Sequence, residues 1–507
     1  MRMHDLSFNS ANAACIAAVL IFFIAIAATP LVAEGKRALV SVDTMSPGAA
    51  VPELTFGNNV KVWGSGAADM VWDCTNHRFY DGVIERLRPL GATMLRFPGG
   101  GQAEGYDWRA AVGKSRGGAG TRFEFGTDEF MELCRVLNAT PIIIVNWDAG
   151  AKEAADWVEY CNGSPETPMG KLRAANGHVE PYGVRYWELG NEKWIKIPAK
   201  KYAESIPEFS RLMKMADPGV KLGGVGWAWT NWRSHYTKEA DPWNETVLAI
   251  AGKYLDAFVI HTYCWIDPKP TVEQRNADLA RTVLGWPNQM ARELAGVKES
   301  FARAGVPDLP IWITEFNGYY GEQGMCRILG HTLNGVLIAS MLNEFIRLGF
   351  PIVCNWDMAC SGYGRFAAIA NPKPGVWNYR PSWHVLSLYS AQCRGSLLPV
   401  AAEAPLFDHR KYSIVFEGKD TPGIDAVAVK NDGVVTVMLV NKLPDEAVAT
   451  TISLRGSNVK RITAVVFSGD DPYSERCGVR DVSTGQTMPV TIPLPACSVT
   501  AVKLFLE

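Results

Sequence analysis

From residue 54 to about residue 390, short apolar runs alternate with longer stretches of helical periodicity. Strands buried on both faces carry apolar residues at nearly every position, and regular alternation with helices is typical of a parallel sheet. The eight predicted strands are Leu54–Asn59, Met94–Phe97, Pro141–Trp147, Val184–Leu189, Val220–Val225, Ala257–Tyr263, Pro310–Phe316 and Ile352–Asp357. Eight such units predict a (β/α)8 TIM barrel. An open doubly wound sheet is the alternative, although no Gly-x-Gly-x-x-Gly motif follows the first strand.

Helical patterns fill the intervals between these strands. The predicted helices are Tyr80–Leu90, Thr127–Leu137, Ala151–Cys161, Ala199–Ala216, Glu245–Tyr254, Trp286–Ala304 and Leu329–Leu348. Asp217-Pro218, Gly305 and Gly349 stand at three of the predicted helix ends, where Gly and Pro commonly end helices.

The pattern changes after about residue 395, where short β-branched runs are separated by Gly, Asp, Asn and Pro. These runs are Ala426–Val429, Val434–Val440, Ala449–Leu454, Arg461–Val466 and Ser498–Phe505. They predict an antiparallel β-sandwich of about eight strands. We therefore expect an α/β chain with a catalytic barrel at 45–390 and a C-terminal sandwich at 391–507, which a strand from 37–44 could join.

The N-terminus has the composition of a signal peptide. Residues Ala13–Ala28 are almost wholly apolar, they follow a polar stretch with Arg2, and the small-residue site Pro30–Ala33 comes next. The apolar run is short for a span of roughly 20 residues. We expect a cleaved signal at 1–33, a secreted or periplasmic protein and no stable membrane span after cleavage, with a retained anchor as the alternative.

Charge and cysteine content exclude some classes of function. Lys and Arg number 50 against 52 Asp and Glu, so the basic surplus typical of nucleic-acid binding is missing. The 17 Trp residues include several at strand ends, where an indole can stack on a sugar ring. Of the 11 Cys, Cys15 would leave with the signal and ten could pair, but Cys264 and Cys354 fall inside or beside predicted barrel strands, where a buried free thiol is expected. Because no Cys-x-x-Cys or His-rich spacing occurs, we predict no metal and no cofactor.

Polar and aromatic side chains close six of the eight predicted strands. They are Arg96 after strand two, Asn146 and Trp147 after strand three, Asn191 and Glu192 after strand four, His261 and Tyr263 after strand six, Glu315 after strand seven, and Asn355, Trp356 and Asp357 after strand eight. Since the carboxyl ends of barrel strands meet at one face, we expect a site there.

Two of these residues, Glu192 and Glu315, offer paired carboxyl groups. Cleavage of a glycosidic bond needs one carboxylic acid to protonate the leaving oxygen and one carboxylate to attack or to activate water. In a regular strand, Glu188 and Glu192 would share a face. Glu188 lies deeper, where a buried carboxylate needs a partner, and we interpret it as structural support paired with Arg96. A surface or ion-paired role is the alternative for Glu192.

Four segments of the chain resemble the clan A retaining glycoside hydrolases. They are Leu95-Arg-Phe-Pro-Gly-Gly100, Gly105-Tyr-Asp-Trp-Arg109, Trp187-Glu-Leu-Gly-Asn-Glu192 and Thr314-Glu315-Phe-Asn317. The pattern is most similar to family 51, which includes α-L-arabinofuranosidases and some endoglucanases. The resemblance implies that Glu192 is the acid/base, that Glu315 is the nucleophile and that Asn191 contacts the sugar 2-hydroxyl.

The resemblance and the chemistry together set expectations for the geometry. A retaining enzyme holds its two carboxyl groups about 5–5.5 Å apart, against roughly 6.5–9.5 Å for an inverting one. Tyr263 and Arg96 are candidate donors to Glu315, and Glu192 needs an apolar or carboxylate-rich setting. The resemblance also implies a cis peptide bond at Trp356-Asp357. The remaining predicted substrate contacts are Asp107, Trp108, Asn146, Trp147, His261 and Trp356, with Trp147 and Trp356 as sugar platforms and a packed core role as the alternative for His261.

Two departures from the family pattern leave the sugar open. Gly101 stands where family 51 arabinofuranosidases usually have Asn, and the first strand, Phe56-Gly-Asn-Asn59, lacks their substrate-binding Glu. A different sugar or an endo-acting cleft therefore stays possible. The rival hypotheses are a non-catalytic carbohydrate-binding protein and an interaction module in the sandwich. The sequence makes no prediction of oligomeric state.

Overall fold

The computed structural model describes residues 35–62, 71–113, 116, 123–228, 242–266, 270–271, 273–319, 327–361, 366–373 and 376–507. The predicted signal segment at 1–33 lies outside these residues. Residues Lys36–Glu507 form one compact unit.

Eight parallel strands close into a barrel, which confirms the predicted TIM-barrel fold. The strands of the first part of the chain are β1 (Lys36–Asp43), β2 (Leu54–Asn59), β3 (Trp72–Asp73), β4 (Arg78–Phe79), β5 (Met94–Phe97), β6 (Thr140–Ile144), β7 (Tyr186–Glu188), β8 (Lys221–Val225), β9 (Ala257–Trp265), β10 (Ile311–Tyr319), β11 (Ile352–Asn355), β12 (Ala359–Ser361), β13 (Ile369–Lys373) and β14 (Val376–Tyr379). The barrel runs in the order β2-β5-β6-β7-β8-β9-β10-β11, and β11 pairs with β2 to close it. All eight predicted strands are present, and β2 and β5 have the predicted bounds.

The inside of the barrel is apolar at one level and polar above it. A compact cluster of inward side chains fills the lower level: Met94, Ile142, Ala257, Val259, Trp312, Ile352 and Cys354. Gly223 on β8 makes room for the Trp312 ring, since a Cβ at that position would lie 2.8 Å from the indole. The polar residues that end the strands therefore pack on a close-packed layer of apolar side chains, which suits a site that must hold its side chains in place.

Nine α-helices are found in the described part of the chain. They are α1 (Val83–Leu87), α2 (Thr127–Leu137), α3 (Ala151–Asn162), α4 (Pro168–Ala175), α5 (Ala199–Ala216), α6 (Trp243–Ala251), α7 (Ala277–Arg303), α8 (Thr332–Leu348) and α9 (Pro381–Gln392). The bounds of α2 and α5 are those predicted. Helix α7 begins before the predicted Trp286, because the Asn276 side chain caps its N-terminus by accepting from the Leu279 N–H. Pro287 therefore lies inside the helix and does not mark its start. Helices α4 and α9 were not predicted. Within the described residues, none of the helices has both the length and the apolar character of a membrane span.

The C-terminal strands form antiparallel sheets that fit the predicted β-sandwich. They are β15 (Ser396–Leu398), β16 (Val400–Glu403), β17 (Leu406–His409), β18 (Gly418–Pro422), β19 (Ile424–Asn431), β20 (Val434–Asn441), β21 (Val448–Arg455), β22 (Val459–Gly469), β23 (Cys477–Val482), β24 (Val490–Leu494) and β25 (Ser498–Leu506). One sheet has the order β15-β19-β20-β25-β22-β23, a second has the order β16-β1-β21-β24, and β17 pairs with β18 in a two-stranded sheet. Strand β1 thus joins the C-terminal sheets, where it pairs in parallel with β21.

The nine cysteines that the structure describes are all free thiols. Cys264 and Cys354 are buried inside barrel strands, as predicted. Burial raises the pKa of both thiols, which keeps them protonated and unreactive. The idea that the cysteines pair widely therefore finds no support among the described residues.

Candidate active site

The end of strand β7 departs from the regular alternation that the sequence predicted. The strand stops at Glu188, and the next residues turn through left-handed conformations, with φ of +88° at Gly190 and +44° at Glu192. Glu188 and Glu192 are therefore not successive members of one strand face. A non-glycine residue in this region is uncommon and costs of order 1–3 kcal/mol unless its surroundings hold it there.

Arg96, from the end of β5, is the buried centre of the site. Its side chain is fully buried and donates to Glu188, with Nε 2.9 Å from Oε1 and Nη2 2.7 Å from Oε2. The same guanidinium donates through Nη1 to Glu315 at 2.8 Å and to Asn59 at 2.9 Å. Burial alone would lower the pKa of Arg96, but Glu188 and Glu315 raise it above its ordinary value. Glu188 is thus a buried counter-ion, in agreement with the structural role proposed for it from the sequence.

Glu315, on β10, has its two carboxylate oxygens bonded to different donors. Arg96 donates to Oε1, and the Tyr263 hydroxyl donates to Oε2 at 2.6 Å. Both donors are the ones expected from the sequence. Burial raises the pKa of Glu315; His261 and Arg96 oppose this effect, Glu192 adds to it, and the Tyr263 hydrogen bond opposes it. The carboxyl group therefore ionises at a higher pH than an ordinary glutamate.

The carboxyl groups of Glu192 and Glu315 both lie near Nδ1 of His261. The His261 Nδ1 lies 3.0 Å from Oε1 of Glu192 and 3.6 Å from Oε2 of Glu315. One oxygen from each carboxyl group lies within 4.8 Å of the other. This separation is near the retaining range and well short of the roughly 6.5–9.5 Å of inverting enzymes. The Glu192 side chain is 25% exposed, so it is the more accessible member of the pair.

His261 contacts both glutamates and the residues behind them. Its Nε2 lies 3.1 Å from the Thr314 hydroxyl and 3.3 Å from Nη2 of Arg96. Burial acts to lower the pKa of His261, but Glu315 and Glu192 raise it above its ordinary value. The structure thus places His261 beside both carboxylates, with a side chain that is only 7% exposed. A contact with substrate stays a prediction.

Asn191 is held at both its side chain and its backbone. Its Oδ1 accepts from Nη2 of Arg96 at 2.9 Å, and its backbone N–H donates to Oε1 of Glu104 at 2.8 Å. These contacts fix the residue that precedes Glu192 at the mouth of the barrel.

The Glu192, His261 and Glu315 donor atoms are close enough together to bind a metal ion. However, the oxygens of Glu315 already accept from Arg96 and Tyr263, and the Arg96 cation lies 2.8 Å from Oε1. A second cation here would be repelled at short range. The donor set fits a proton-exchanging carboxyl pair better than a metal centre.

The two Trp residues predicted as sugar platforms have different surroundings. Trp147 donates from Nε1 to the Ser205 hydroxyl at 2.9 Å, and the Lys193 ammonium lies 4.5 Å from its ring centre. Trp356 is 8% exposed, and Gly100 passes so close to its ring that a Cβ there would lie 2.5 Å away. The Trp356-Asp357 peptide bond is cis, as the resemblance implied. A stacking role for either ring stays a prediction.

Asp107, Trp108 and Asn146 line a cavity of about 380 Å³ whose lining does not include Glu192 or Glu315. Asp107 is exposed, and Asn146 accepts from the Asp148 N–H through its side chain. Trp108 is 2% exposed, with one neighbour in Trp157, stacked at 5.9 Å, and another in the Arg109 guanidinium at 4.6 Å from its ring centre. Its ring is therefore largely covered by protein, although Trp108 contributes to the cavity lining. A substrate contact at Asp107, Trp108 or Asn146 stays a prediction.

Sequence reasoning missed two buried ion pairs at the mouth of the barrel. Lys193 pairs with Glu104 at 3.0 Å, and Lys61 pairs with Asp357 at 2.5 Å. Glu104 lies between two recognisable motifs but belongs to neither, and Lys61 follows the first strand without any local signal. Only the juxtaposition of separate βα loops makes these pairs.

Comparisons with known proteins find similarity to arabinofuranosidases. A family model described as the alpha-L-arabinofuranosidase 1 domain matches residues 86–268. A probable alpha-L-arabinofuranosidase C from Aspergillus flavus is 29% identical over 425 residues, which cover 77% of this chain and 81% of that protein. An intracellular exo-alpha-L-arabinofuranosidase from Bacteroides ovatus is 23% identical, with coverage of 87% and 89%.

Solved structures share the architecture. A family 51 alpha-L-arabinofuranosidase from Bifidobacterium longum superposes with a TM-score of 0.79 at 21% identity, over 92% of this chain and 99% of that one. Since the identity is low, this likeness shows the fold. The barrel with its C-terminal sheets is thus an arrangement that these proteins have in common.

Proposed function

We propose that this chain, a retaining glycoside hydrolase most similar to family 51, releases α-L-arabinofuranosyl units from plant or microbial polysaccharide with Glu315 as nucleophile and Glu192 as acid/base. The observation that carries the two roles is the separation of their carboxyl oxygens, which lie within 4.8 Å of one another. The different surroundings of the two groups support these roles: Glu315 is 4% exposed and bonded to two donors, whereas the Glu192 side chain is 25% exposed.

In the first step, an oxygen of Glu315 attacks the anomeric carbon and the bond from that carbon to the leaving oxygen breaks. Glu192 gives its proton to the leaving oxygen, so the leaving group departs as a neutral alcohol. Arg96 and Tyr263 hold the attacking carboxylate in position. The product of this step is a glycosyl ester on Glu315.

In the second step, Glu192 is a carboxylate and acts as a base. It takes a proton from water while the water oxygen attacks the anomeric carbon, and the ester bond to Glu315 breaks. Glu315 leaves as a carboxylate, and its pairing with Arg96 stabilises the returning charge. Two inversions give a sugar of retained configuration, and Glu192 recovers the proton that it started with.

The identity of the sugar rests on the names of the relatives. The curated relatives in the comparison are named as arabinofuranosidases, and this supports an arabinofuranosyl substrate. The two departures, at Gly101 and along β2, remove contacts expected for that ring, so a glucan- or xylan-cleaving endo-enzyme is the rival. Asn58 and Asn59, both buried at the end of β2, stand where a carboxylate was expected.

The test is a screen of the purified protein against 4-nitrophenyl glycosides and polysaccharides beside the variant Glu315→Ala. We expect release from the α-L-arabinofuranoside, and a loss on the order of 10⁴-fold in the variant. Azide or formate should restore turnover in Glu315→Ala with inverted anomeric configuration, since the small anion replaces the missing nucleophile.

Unchanged turnover in Glu315→Ala would show that the nucleophile assignment is wrong. Release from glucan or xylan alone would overturn the sugar assignment, and sugar binding without turnover would favour the carbohydrate-binding alternative.

We also propose that the chain is exported and cleaved near residue 34. The support is the apolar run Ala13–Ala28 with its following small-residue site. Expression in the native host, followed by N-terminal sequencing of the protein outside the cytoplasm, tests this. Intact protein confined to the cytoplasm contradicts it.

A further inference from the structure

We infer that Glu104 and Lys193 are positioning residues for the acid/base carboxyl of Glu192, and that they act by fixing the turn that carries it. This inference rests on the proposed role of Glu192. Neither residue belongs to the motifs that support the family resemblance, and neither contacts Glu315 in the hydrogen bonds and ion pairs described above.

The backbone conformation of Glu192 explains why this turn must be held by neighbouring residues. Glu192 adopts φ +44° and ψ +44°, a left-handed conformation that a non-glycine residue keeps only when its neighbours hold it. The residue must also place its carboxyl oxygen 3.0 Å from Nδ1 of His261 and within 4.8 Å of a Glu315 oxygen. A change of backbone conformation at Glu192 would move the carboxyl group away from the leaving oxygen.

One carboxylate holds the residues on both sides of Glu192. Oε1 of Glu104 accepts from the Asn191 N–H at 2.8 Å, and Oε2 pairs with Nζ of Lys193 at 3.0 Å. The Glu104 and Lys193 side chains are only 3% and 1% exposed. A charge-assisted hydrogen bond and an ion pair in a buried setting are much more rigid than their solvent-exposed counterparts.

Two further contacts fix Lys193. Its Nζ lies 3.1 Å from Asp148 and 4.5 Å from the ring centre of Trp147. Gly190 completes the packing, because a Cβ at its φ of +88° would lie 3.0 Å from Oε1 of Glu104. Burial raises the pKa of Glu104, while the Asn191 N–H and Lys193 oppose that rise. The ionised form of Glu104 is therefore stabilised by the same groups that this carboxylate positions.

We call the contacts of Glu104 with the Asn191 N–H and with Lys193 the Glu104–Lys193 clamp. The variant Glu104→Ala/Lys193→Met removes this clamp without leaving one buried charge unpaired. Its kcat/KM is measured on two aryl α-L-arabinofuranosides, one with a phenyl leaving group and one with 2,4-dinitrophenyl. Only the phenyl substrate needs a well-placed acid. We expect kcat/KM to fall about 10- to 100-fold on the phenyl substrate and less than about threefold on the dinitrophenyl substrate. On the dinitrophenyl substrate, kcat and KM should fall together, and azide should raise kcat.

The matched control is Glu129→Ala/Arg116→Met. Glu129 also accepts a backbone N–H, from Gly126 at 2.7 Å, and pairs with Arg116 at 2.5 Å, but it lies at the start of helix α2. This control variant should lower kcat/KM equally on the two substrates or leave it unchanged on both. If the clamp variant does not fold, as judged by circular dichroism, Glu104→Gln replaces it because it keeps the shape and loses the charge.

Equal losses on both substrates, or no loss, would overturn the positioning role. The variant Glu192→Ala separates this failure from a failure of the proposed function. If Glu192→Ala shows the leaving-group selectivity and the clamp variant does not, the acid/base assignment stands and the inference about Glu104 and Lys193 falls. If Glu192→Ala itself shows no selectivity, the acid/base assignment is wrong.

Discussion

The Tyr263 hydroxyl donates a hydrogen bond of 2.6 Å to Oε2 of Glu315. The bond joins the ends of two neighbouring barrel strands, since Asn317 on β10 pairs with Tyr263 on β9 and Glu315 pairs with His261. It places a neutral donor beside the carboxylate proposed as the nucleophile, while Arg96 supplies a cationic donor. The orientation of the proposed nucleophile thus depends on a side chain that carries no charge.

Replacing Tyr263 by Phe removes this bond and keeps the ring. A hydrogen bond to a charged group contributes about 1.5–3 kcal/mol, so we expect kcat/KM to fall about 10- to 100-fold. Because the bond lowers the pKa of Glu315, its loss should also move the acid limb of the pH profile to higher pH. Steady-state kinetics across pH measure both effects. Tyr389→Phe, which removes a buried hydroxyl bonded to Asn343 on α8, serves as the control and should keep the wild-type profile.

The acid limb of kcat/KM should lie above the ordinary pKa of glutamate. Burial raises the pKa of Glu315, and the Glu192 charge contributes to the rise. Activity needs ionised Glu315, so it falls as the pH falls through this raised value. The variant Glu192→Gln removes the repulsion and should shift the limb to lower pH, as measured with a dinitrophenyl substrate that needs no acid. A limb that stays in place or moves upward contradicts the electrostatic coupling of the pair.

Arg96→Met should destabilise the fold as well as abolish activity. The substitution leaves Glu188 and Glu315 buried without their cation, and breaking a buried pair in this way costs about 3–5 kcal/mol. Urea unfolding monitored by Trp fluorescence gives the free energy of unfolding. Arg135→Met breaks an exposed pair with Glu132 at 2.6 Å and should cost only about 0–1 kcal/mol. Equal costs for the two variants would mean that Arg96 has little structural role.

Gly101→Asn tests the first departure from the family pattern. A Cβ at Gly101 would meet no heavy atom within 4 Å, so the variant should fold with a stability change of about 0.5 kcal/mol or less. One added hydrogen bond to an arabinofuranosyl ring should raise kcat/KM by about 2- to 10-fold. Gly100→Asn is the contrasting variant, because its φ is +49° and its Cβ would lie 2.5 Å from Trp356. A fall in activity for Gly101→Asn would indicate that the substrate itself occupies this open space.

Much of the site was predictable because barrel topology converts sequence order into spatial position. Arg96, Asn191, His261, Tyr263 and Glu315 each close an apolar run, and the carboxyl ends of parallel strands meet at one face. The bonds from Arg96 and Tyr263 to Glu315 follow from that rule and from the need of a buried carboxylate for donors. Trp108 was harder to place, because a Trp in a loop gives no sign of whether other side chains cover its ring.

The eight-unit barrel, the C-terminal sheets and the pair of glutamates could be predicted from the chain, since hydrophobic periodicity and strand-end polarity are local properties. How those glutamates face each other depends on the folded arrangement of the loops. The left-handed turn at Glu192 and the Glu104–Lys193 clamp depend on loops that are far apart in sequence. Their contacts arise from side-chain distances between separate βα units, and no periodicity along the chain encodes such distances.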